Sequence, residues 1–209
     1  MATTLILVRH GEARAGVDHI IGGRDGCKGL TDIGRAQSAA LAARFARNAE
    51  FRPDVVIASS LPRAVETAEL ATAGLGWPAV QTLDSVIEQH VGESDGLTLT
   101  EYEARYGRID NPDPDRLMAP GGESPKMFDA RVAGAMDALV DEYRDQTIMV
   151  FTHGGVVTAA TLYLLGAPGH HTTGTNWRPP RNTSLNVVFS SPPGERWALD
   201  RYNDAAHLD

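Results

Sequence analysis

The chain has 209 residues, of which 42% are apolar, so it is long enough to bury a substantial core. Its formal net charge of −8 disfavours an extended nucleic-acid or anionic-membrane surface, because such binding depends on long-range attraction to basic side chains. The single cysteine excludes an intrachain disulfide and has no CxxC or zinc-ligand spacing. We expect one domain over residues 1–209, located in the cytoplasm.

Five short runs of β-branched and aliphatic residues alternate with longer helical stretches along the chain. This alternation is typical of βαβ units, and it predicts an α/β fold of three layers, α/β/α, with a mainly parallel central sheet. The first and fourth runs are apolar without alternation, so we expect them at the centre of the sheet. The first run is too short to span a bilayer. The predicted strands cover 4–8, 54–58, 79–83, 147–151 and 184–189.

The predicted helices are marked by their caps. Thr31 before an acidic first turn fits an N-cap, and Ser124 fits an N-cap followed by proline at the first helical position. Apolar residues at three- and four-residue steps after Pro125 predict an amphipathic helix. Further helices are predicted over 62–75, 99–106 and 155–165. The 88–123 region is otherwise irregular, and such excursions often carry specificity.

Two histidines follow directly on predicted strands. His10 lies in an Arg-His-Gly tripeptide that follows the first strand, and His153 follows the fourth strand. Because the carboxyl ends of parallel strands line one edge of a sheet, we expect the two side chains to meet there. A helix beginning near Gly154 would direct its amide groups into the same crevice, which suits an oxyanion.

Two arginines are predicted at the same edge. Arg9 precedes the first of these histidines, and Arg63 lies in the first turn of the helix that follows the second strand. A guanidinium group is planar and permanently charged, and it matches the oxygens of a phosphoryl group. The sequence therefore predicts a locally basic anion site in an acidic protein, although either arginine could instead form a surface ion pair.

Five ordered segments resemble the histidine phosphatase superfamily in its phosphoglycerate-mutase-like branch, branch 1. They are LVRHGEA at 7–13, LTDIGRAQ at 30–37, SSLPRAVETAE at 59–69, GGES at 121–124 and THGG at 152–155. An RHG tripeptide alone is a weak signal, but five segments in order and in the right strand context are specific. The resemblance runs nearly end to end, and NTS at 182–184 is similar to the family's segment before a late strand.

The resemblance implies hydrolysis of a small phosphorylated metabolite through a covalent phosphohistidine on His10, without a metal or organic cofactor. It implies that Arg9, Arg63 and His153 bind the phosphoryl oxygens. Glu88 matches the position of the proton donor, which protonates the departing oxygen and then activates the water that cleaves the phosphohistidine.

The chain departs from the family pattern shortly after the RHG tripeptide. Many members carry Thr or Ser and, three residues later, Asn at positions that are Ala13 and Gly16 here. Two polar contacts to phosphate or substrate are therefore missing. Arg14, Arg24 or nearby backbone amides could replace them, and we expect Arg24 and the backbone at Gly154 to contact the substrate.

Several alternatives stay open at this point. The segment after Glu88 is shorter than in the glycolytic mutases and lacks their sequence, which favours a phosphatase over a phosphoglycerate-type phosphomutase. A non-catalytic phospholigand-binding protein of the same fold is the third possibility. Glu93 lies five residues after Glu88 in an acidic loop and is the reserve proton donor.

Two remaining polar segments indicate a function less clearly. Adjacent His170 and His171 cannot both face one ion from regular structure, so we predict no metal site there. The 176–181 segment could contact the far end of a substrate or form a plain loop. The expected partner is a small phosphorylated substrate, with no nucleic acid or membrane, and an oligomer is possible.

Overall fold

The fold is built on one mixed sheet. The computed structural model describes residues 2–47, 51–109, 113–169, 179–190 and 196–209, and within them the sheet has six strands. These are β1 (Thr4–Arg9), β2 (Val55–Ser59), β3 (Val80–Leu83), β4 (Thr147–Thr152), β5 (Leu185–Ser190) and β6 (Trp197–Asp204). Their order across the sheet is β3-β2-β4-β1-β5-β6.

Four of the strands are parallel. β1 pairs with β4, β4 with β2, and β2 with β3 in parallel, whereas β5 is antiparallel to β1 and β6 is antiparallel to β5. The prediction of a mainly parallel sheet with the first and fourth runs at its centre is confirmed. β6 was not predicted, because polar residues and partly exposed side chains interrupt its apolar pattern, as suits the edge of a sheet.

Six α-helices are present in the described residues. They are α1 (Arg14–Val17), α2 (Asp32–Arg47), α3 (Pro62–Thr72), α4 (Leu99–Tyr106), α5 (Pro125–Glu142) and α6 (Gly154–Leu164). Both predicted N-caps form, since Thr31 Oγ1 accepts from the amide of Gly34 at 3.0 Å and Ser124 Oγ accepts from the amide of Met127 at 3.3 Å. α3 ends three residues earlier than predicted, close to Gly74, which has a φ of +73°.

The helices cover both faces of the sheet. Leu5 and Leu7 of β1 lie in an apolar cluster with residues of α5 and α6, whereas Ile6 and Val8 lie in a second cluster with residues of α2 and α3. Because successive strand side chains point to opposite faces, the uninterrupted apolar run of β1 fills both clusters. The predicted three-layer α/β/α arrangement is confirmed.

The 88–123 excursion contains α4 and a short 3-10 helix at Gly92–Ser94. It is tied by backbone hydrogen bonds to the loop after α1: the amide of Ile21 donates to the Leu97 carbonyl at 2.8 Å, and the amide of Gly96 donates back to the Ile21 carbonyl at 2.9 Å. The excursion therefore borders the residues that follow β1. Among the described helices, none has the combination of length and apolar character that crossing a membrane requires.

Candidate active site

The two histidines meet at the carboxyl ends of the central strands. Parallel pairing places Arg9 of β1 opposite Thr152 of β4, and the amide of His10 donates to the Thr152 carbonyl at 2.8 Å. The next residue in each strand's path is therefore a histidine. The imidazole rings of His10 and His153 lie with their centroids 5.2 Å apart at an angle of 61°. The structure thus brings together the pair that the sequence placed at one sheet edge.

Arg63 lies between these two rings. Its Nε donates to Nε2 of His10 at 3.2 Å and to Nδ1 of His153 at 3.2 Å, while Nη1 donates to the Gly22 carbonyl at 2.9 Å. The side chain is held in the first turn of α3 and is almost completely buried. The positive charge of Arg63 is buried between the two imidazole rings. This edge of the sheet is therefore electropositive.

His10 is neutral, and its hydrogen bonds select one tautomer. Nδ1 donates to the Gly11 carbonyl at 2.6 Å, so the lone pair lies on Nε2, where Arg63 donates. Burial, followed by the positive charges of Arg63 and Arg9, lowers the pKa of His10 well below its usual value. His10 therefore offers an unprotonated Nε2 to an electrophile.

His153 is completely buried and neutral as well. Its Nε2 lies 2.7 Å from Oγ of Ser59, and its Nδ1 accepts from Arg63. Burial lowers the pKa of His153 well below its usual value, and the charge of Arg63 and the neighbouring His10 act in the same direction. Ser59, the last residue of β2, therefore fixes the orientation of this ring.

Arg9, the residue before His10, has a buried donor without a partner among the described residues. Its Nη1 donates to the Pro180 carbonyl at 2.6 Å, but its Nε is buried without a hydrogen-bond partner among the described residues. Burial lowers the pKa of Arg9, although nearby Glu88 opposes the shift. A side chain on residue 154 would place its Cβ 2.8 Å from Pro179 Cβ and 3.4 Å from Arg9 Nε, so Gly154 allows the close packing of this arginine.

Glu88 approaches the site from the start of the excursion. Its Oε2 accepts from the amide of Gly155 at 3.0 Å, and its Oε1 accepts from the amide of Gln89 at 3.2 Å. The carboxylate therefore accepts from one of the amides at the N-terminus of α6, where the sequence predicts an oxyanion. A Cβ on residue 155 would lie 2.4 Å from Oε1, so the glycine allows the Glu88 carboxylate to lie this close to the helix.

A buried ion pair braces the backbone around Glu88. Arg131 of α5 contacts Glu123 through two hydrogen bonds of 2.7 Å, and it also donates to the carbonyls of Ile87 at 3.1 Å and Glu88 at 3.2 Å. Glu123 in turn accepts from the amide of His90 at 2.9 Å. The segment that carries Glu88 is therefore fixed from both sides.

Sequence reasoning assigned no role to four residues that position the site. Thr67 Oγ1 accepts from the amide of Gly11 at 3.0 Å, and Asn182 Nδ2 donates to the His10 carbonyl at 2.8 Å. Together with Ser59, they lie in or beside segments that carried the family resemblance, so their chemistry was visible but their partners were not. The signal for Arg131 was a charged residue within the apolar face of α5.

The side chains surround a cavity of about 640 Å³. Arg9, His10, Arg63 and Glu88 line it, as do both positions that depart from the family pattern, Ala13 and Gly16. Pockets of a few hundred Å³ accommodate small-molecule ligands, so this cavity has room for much more than a phosphate ion.

Two other predicted residues lie elsewhere. Arg24 is 53% exposed, pairs with Asp84 at 2.9 Å and donates to Ser60 at 3.4 Å. The structure does not bring Arg24 to the cavity, because these partners retain its guanidinium at the surface. The reserve donor, Glu93, is exposed and is absent from the described lining of the cavity.

The structure describes only part of the two polar segments whose function the sequence indicates less clearly. His170, His171 and residues 176–178 lie outside the described residues. Arg181 pairs with Asp209 at 3.3 Å. Within the described ranges, no group of three or more His, Cys, Asp or Glu side chains is arranged to hold a metal ion.

Comparison with known proteins identifies the class. The chain belongs to the histidine phosphatase superfamily, branch 1, whose family model matches residues 5–205. The family inferred from the sequence segments is confirmed.

Individual relatives resemble almost the entire chain. Phosphoglycerate mutase-like protein 4 of Arabidopsis thaliana is 31% identical over 98% of this chain and 86% of its own length. Metal-independent phosphoserine phosphatase of the same plant is 29% identical over 99% and 83%. The mycobacterial glucosyl-3-phosphoglycerate phosphatase solved with VO3 is 26% identical, with a TM-score of 0.78 over 96% of this chain and 98% of that one.

Proposed function

We propose that this protein is a phosphatase that hydrolyses small phosphomonoesters through a phosphohistidine on His10. The observation that carries the proposal is the lone pair on Nε2 of a neutral His10, buried beside the guanidinium groups of Arg9 and Arg63. The family membership and the phosphatases among the relatives support the same reaction.

In the first step, Nε2 of His10 attacks phosphorus. The N–P bond forms while the P–O bond to the leaving alcohol breaks, and a protonated Glu88 gives its proton to the departing oxygen. The unpartnered Nε of Arg9 and the guanidinium of Arg63 neutralise charge on the phosphoryl oxygens. The entering phosphoryl group replaces the hydrogen bond between Arg63 and Nε2, because the lone pair has to face phosphorus.

In the second step, water attacks the phosphohistidine. Glu88, now a carboxylate, takes a proton from the water, the O–P bond forms and the N–P bond breaks, which returns the neutral His10 and releases phosphate. His153 contributes to both steps. In the free protein its Nδ1 accepts from Arg63, whereas a bound dianion favours a proton on Nδ1, which then donates to a phosphoryl oxygen.

The test is hydrolysis of 4-nitrophenyl phosphate in the presence of a chelator, by the wild type and His10→Asn. We expect turnover by the wild type, none by His10→Asn, and an acid-labile phosphoryl label on the wild type alone. His19→Asn is the matched control, because His19 is exposed, lies outside the described lining of the cavity and has a φ of 53°, which asparagine tolerates.

Other outcomes separate the remaining functions. Phosphate binding without turnover of any phosphomonoester would establish a binding protein instead. Phosphoryl exchange that depends on a bisphosphate primer would establish a mutase. An unlabelled His10 in an active enzyme would overturn the covalent mechanism.

Two broader expectations accompany this proposal. We also propose that residues 1–209 form one domain, supported by a family match that spans residues 5–205. We propose a reducing, cytoplasmic location, supported by a buried and unpaired Cys27 thiol.

A further inference from the structure

The cavity beside the phosphoryl site has an apolar wall. Two chain segments supply it, the stretch through α1 to the following loop and the excursion with the first turn of α5. Its larger apolar residues are Val17, Ile20, Ile21, Val91, Met118 and Phe128. Contact between this wall and the non-phosphate part of a ligand is favourable, because it removes apolar surface from water.

The charged groups of the cavity are unevenly distributed. Among the described lining residues, the only arginine or lysine side chains are Arg9 and Arg63, which lie at the histidines. The other charged residues of the lining are Glu12 and Glu88. Glu12 accepts from Thr31 Oγ1 at 2.7 Å, which holds its carboxylate in place. Away from the histidines, a second anionic group on a substrate would therefore meet no further cation of the described lining.

We propose that this site takes phosphomonoesters whose leaving alcohol or phenol is bulky, apolar and free of a second anionic group. This inference rests on the proposed function, because it assigns the phosphoryl end of the ligand to His10, Arg9 and Arg63. The apolar body of the ligand then lies along the wall from Val17 to Phe128. Compact substrates with a carboxylate next to the phosphate are disfavoured.

The test compares two probes that are not hydrolysed, benzylphosphonate and phosphonoacetate. Both present a phosphonate, but one carries an aromatic ring and the other a carboxylate. We expect calorimetric titration of the wild type to show benzylphosphonate binding about 10-fold more tightly or better, the increment typical of burying part of a ring. Equal binding, or tighter binding of phosphonoacetate, would overturn the inference.

A matched pair of variants locates the effect. Val17 and Ile33 are both exposed helical residues, 54% and 60% accessible, but only Val17 lines the cavity. Val17→Lys should reduce the preference for benzylphosphonate several-fold, whereas Ile33→Lys, with the same charge change, should leave it unchanged. Equal shifts in the two variants would mean that overall charge sets the preference, and the inference would be wrong.

Turnover of phenyl phosphate separates this inference from the proposed function. A protein that hydrolyses phenyl phosphate but binds both probes equally loses the inferred substrate class and keeps the catalytic proposal. A protein that prefers benzylphosphonate but forms no phosphohistidine keeps the ligand class and loses the catalytic proposal.

Discussion

Nε of Arg63 lies 3.2 Å from Nε2 of His10, which is the nitrogen that carries the lone pair. The same Nε reaches Nδ1 of His153, so a single N–H orients both imidazoles in the free protein. The buried cation also opposes protonation of either ring. Arg63 therefore keeps His10 in its nucleophilic form as well as supplying charge for a phosphoryl group.

Replacing Arg63 by lysine should abolish this arrangement while conserving the charge. An ammonium group lacks the planar fork that contacts both rings and the Gly22 carbonyl, so we expect kcat/KM for aryl phosphates to fall by about 10²-fold or more in Arg63→Lys. Arg35→Lys, at an exposed ion pair, is the control. Activity equal to the wild type in Arg63→Lys would contradict this role.

The protonation state of His10 provides a second prediction. Because burial and Arg63 lower its pKa well below the usual value, His10 should remain neutral as the pH falls through 6.5. Protonation would remove the Nε2 lone pair, so the acid loss of the nucleophile should occur well below pH 6.5. Nitrogen-detected NMR of the imidazoles can follow this directly. A His10 transition centred near pH 6.5 would contradict it.

Arg131 should act on catalysis through Glu88. In Arg131→Lys the hydrogen bonds to the Ile87 and Glu88 carbonyls are weakened, so the proton donor is less well placed. We expect kcat/KM, which reports the transfer of the phosphoryl group to His10, to fall about 10-fold for alkyl phosphates, whose leaving oxygen needs the proton, and much less for 4-nitrophenyl phosphate.

Two further variants check the Arg131 prediction. Glu88→Gln should show the same dependence on the leaving group, whereas Arg144→Lys, at the exposed pair with Asp141, should not. An equal loss of kcat/KM with both classes of substrate would indicate a general structural effect of Arg131.

The glycine that faces Glu88 offers another test. A Cβ at residue 155 would lie 2.4 Å from Glu88 Oε1, so Gly155→Ala should displace the carboxylate and reduce kcat for alkyl phosphates. In Gly134→Ala, on the exposed face of α5, the new Cβ meets no atom within 4 Å. That control should retain activity and gain roughly 0.5–1 kcal/mol in the free energy of unfolding, measured with urea. Unchanged kinetics in Gly155→Ala would contradict the prediction.

His207 should make stability depend on pH. Burial, followed by the charge of Arg44, lowers the pKa of His207 from 6.5 to about 4. As the pH falls below 6.5, the unfolded chain binds a proton that the folded protein does not bind until about pH 4. The free energy of unfolding should therefore decrease across this window, by up to roughly 1.4 kcal/mol per pH unit from this residue.

The measurement is urea unfolding at several pH values between 7 and 4. His207→Gln removes the titrating group, so its free energy of unfolding should decrease less steeply as the pH falls. Parallel curves for the two proteins would show that His207 takes up its proton equally in both states.

The fold was largely predictable because its signals are local. The uninterrupted apolar runs of β1 and β4 required coverage on both faces, and Thr31 and Ser124 marked helix starts through their own side chains. β6 lacked such a signal, since an edge strand buries only part of its residues and tolerates polar side chains. Pairing with β5 stabilises β6 as a strand more than its own sequence pattern does.

The main residues of the site were predictable from the sequence, but the partners that hold them from distant parts of the chain were not. Strand ends and the RHG tripeptide placed His10, His153, Arg9 and Arg63 at one edge, because topology alone dictates that edge. The brace between Arg131 and Glu123 depends on how the excursion packs on α5, which no local pattern encodes. Arg24 was assigned to the substrate for its charge, but nearby Asp84 provides a better partner at the surface.

The pairing of β1 with β4 determines when activity is gained during folding. The two histidines belong to strands separated by most of the chain, and Asn182 adds its contact from still further along. Helices such as α5 can form from neighbouring residues, but the reactive pair exists only after this distant closure. In a refolding experiment, turnover therefore reports completion of the sheet, and it should recover later than the helical signal in circular dichroism.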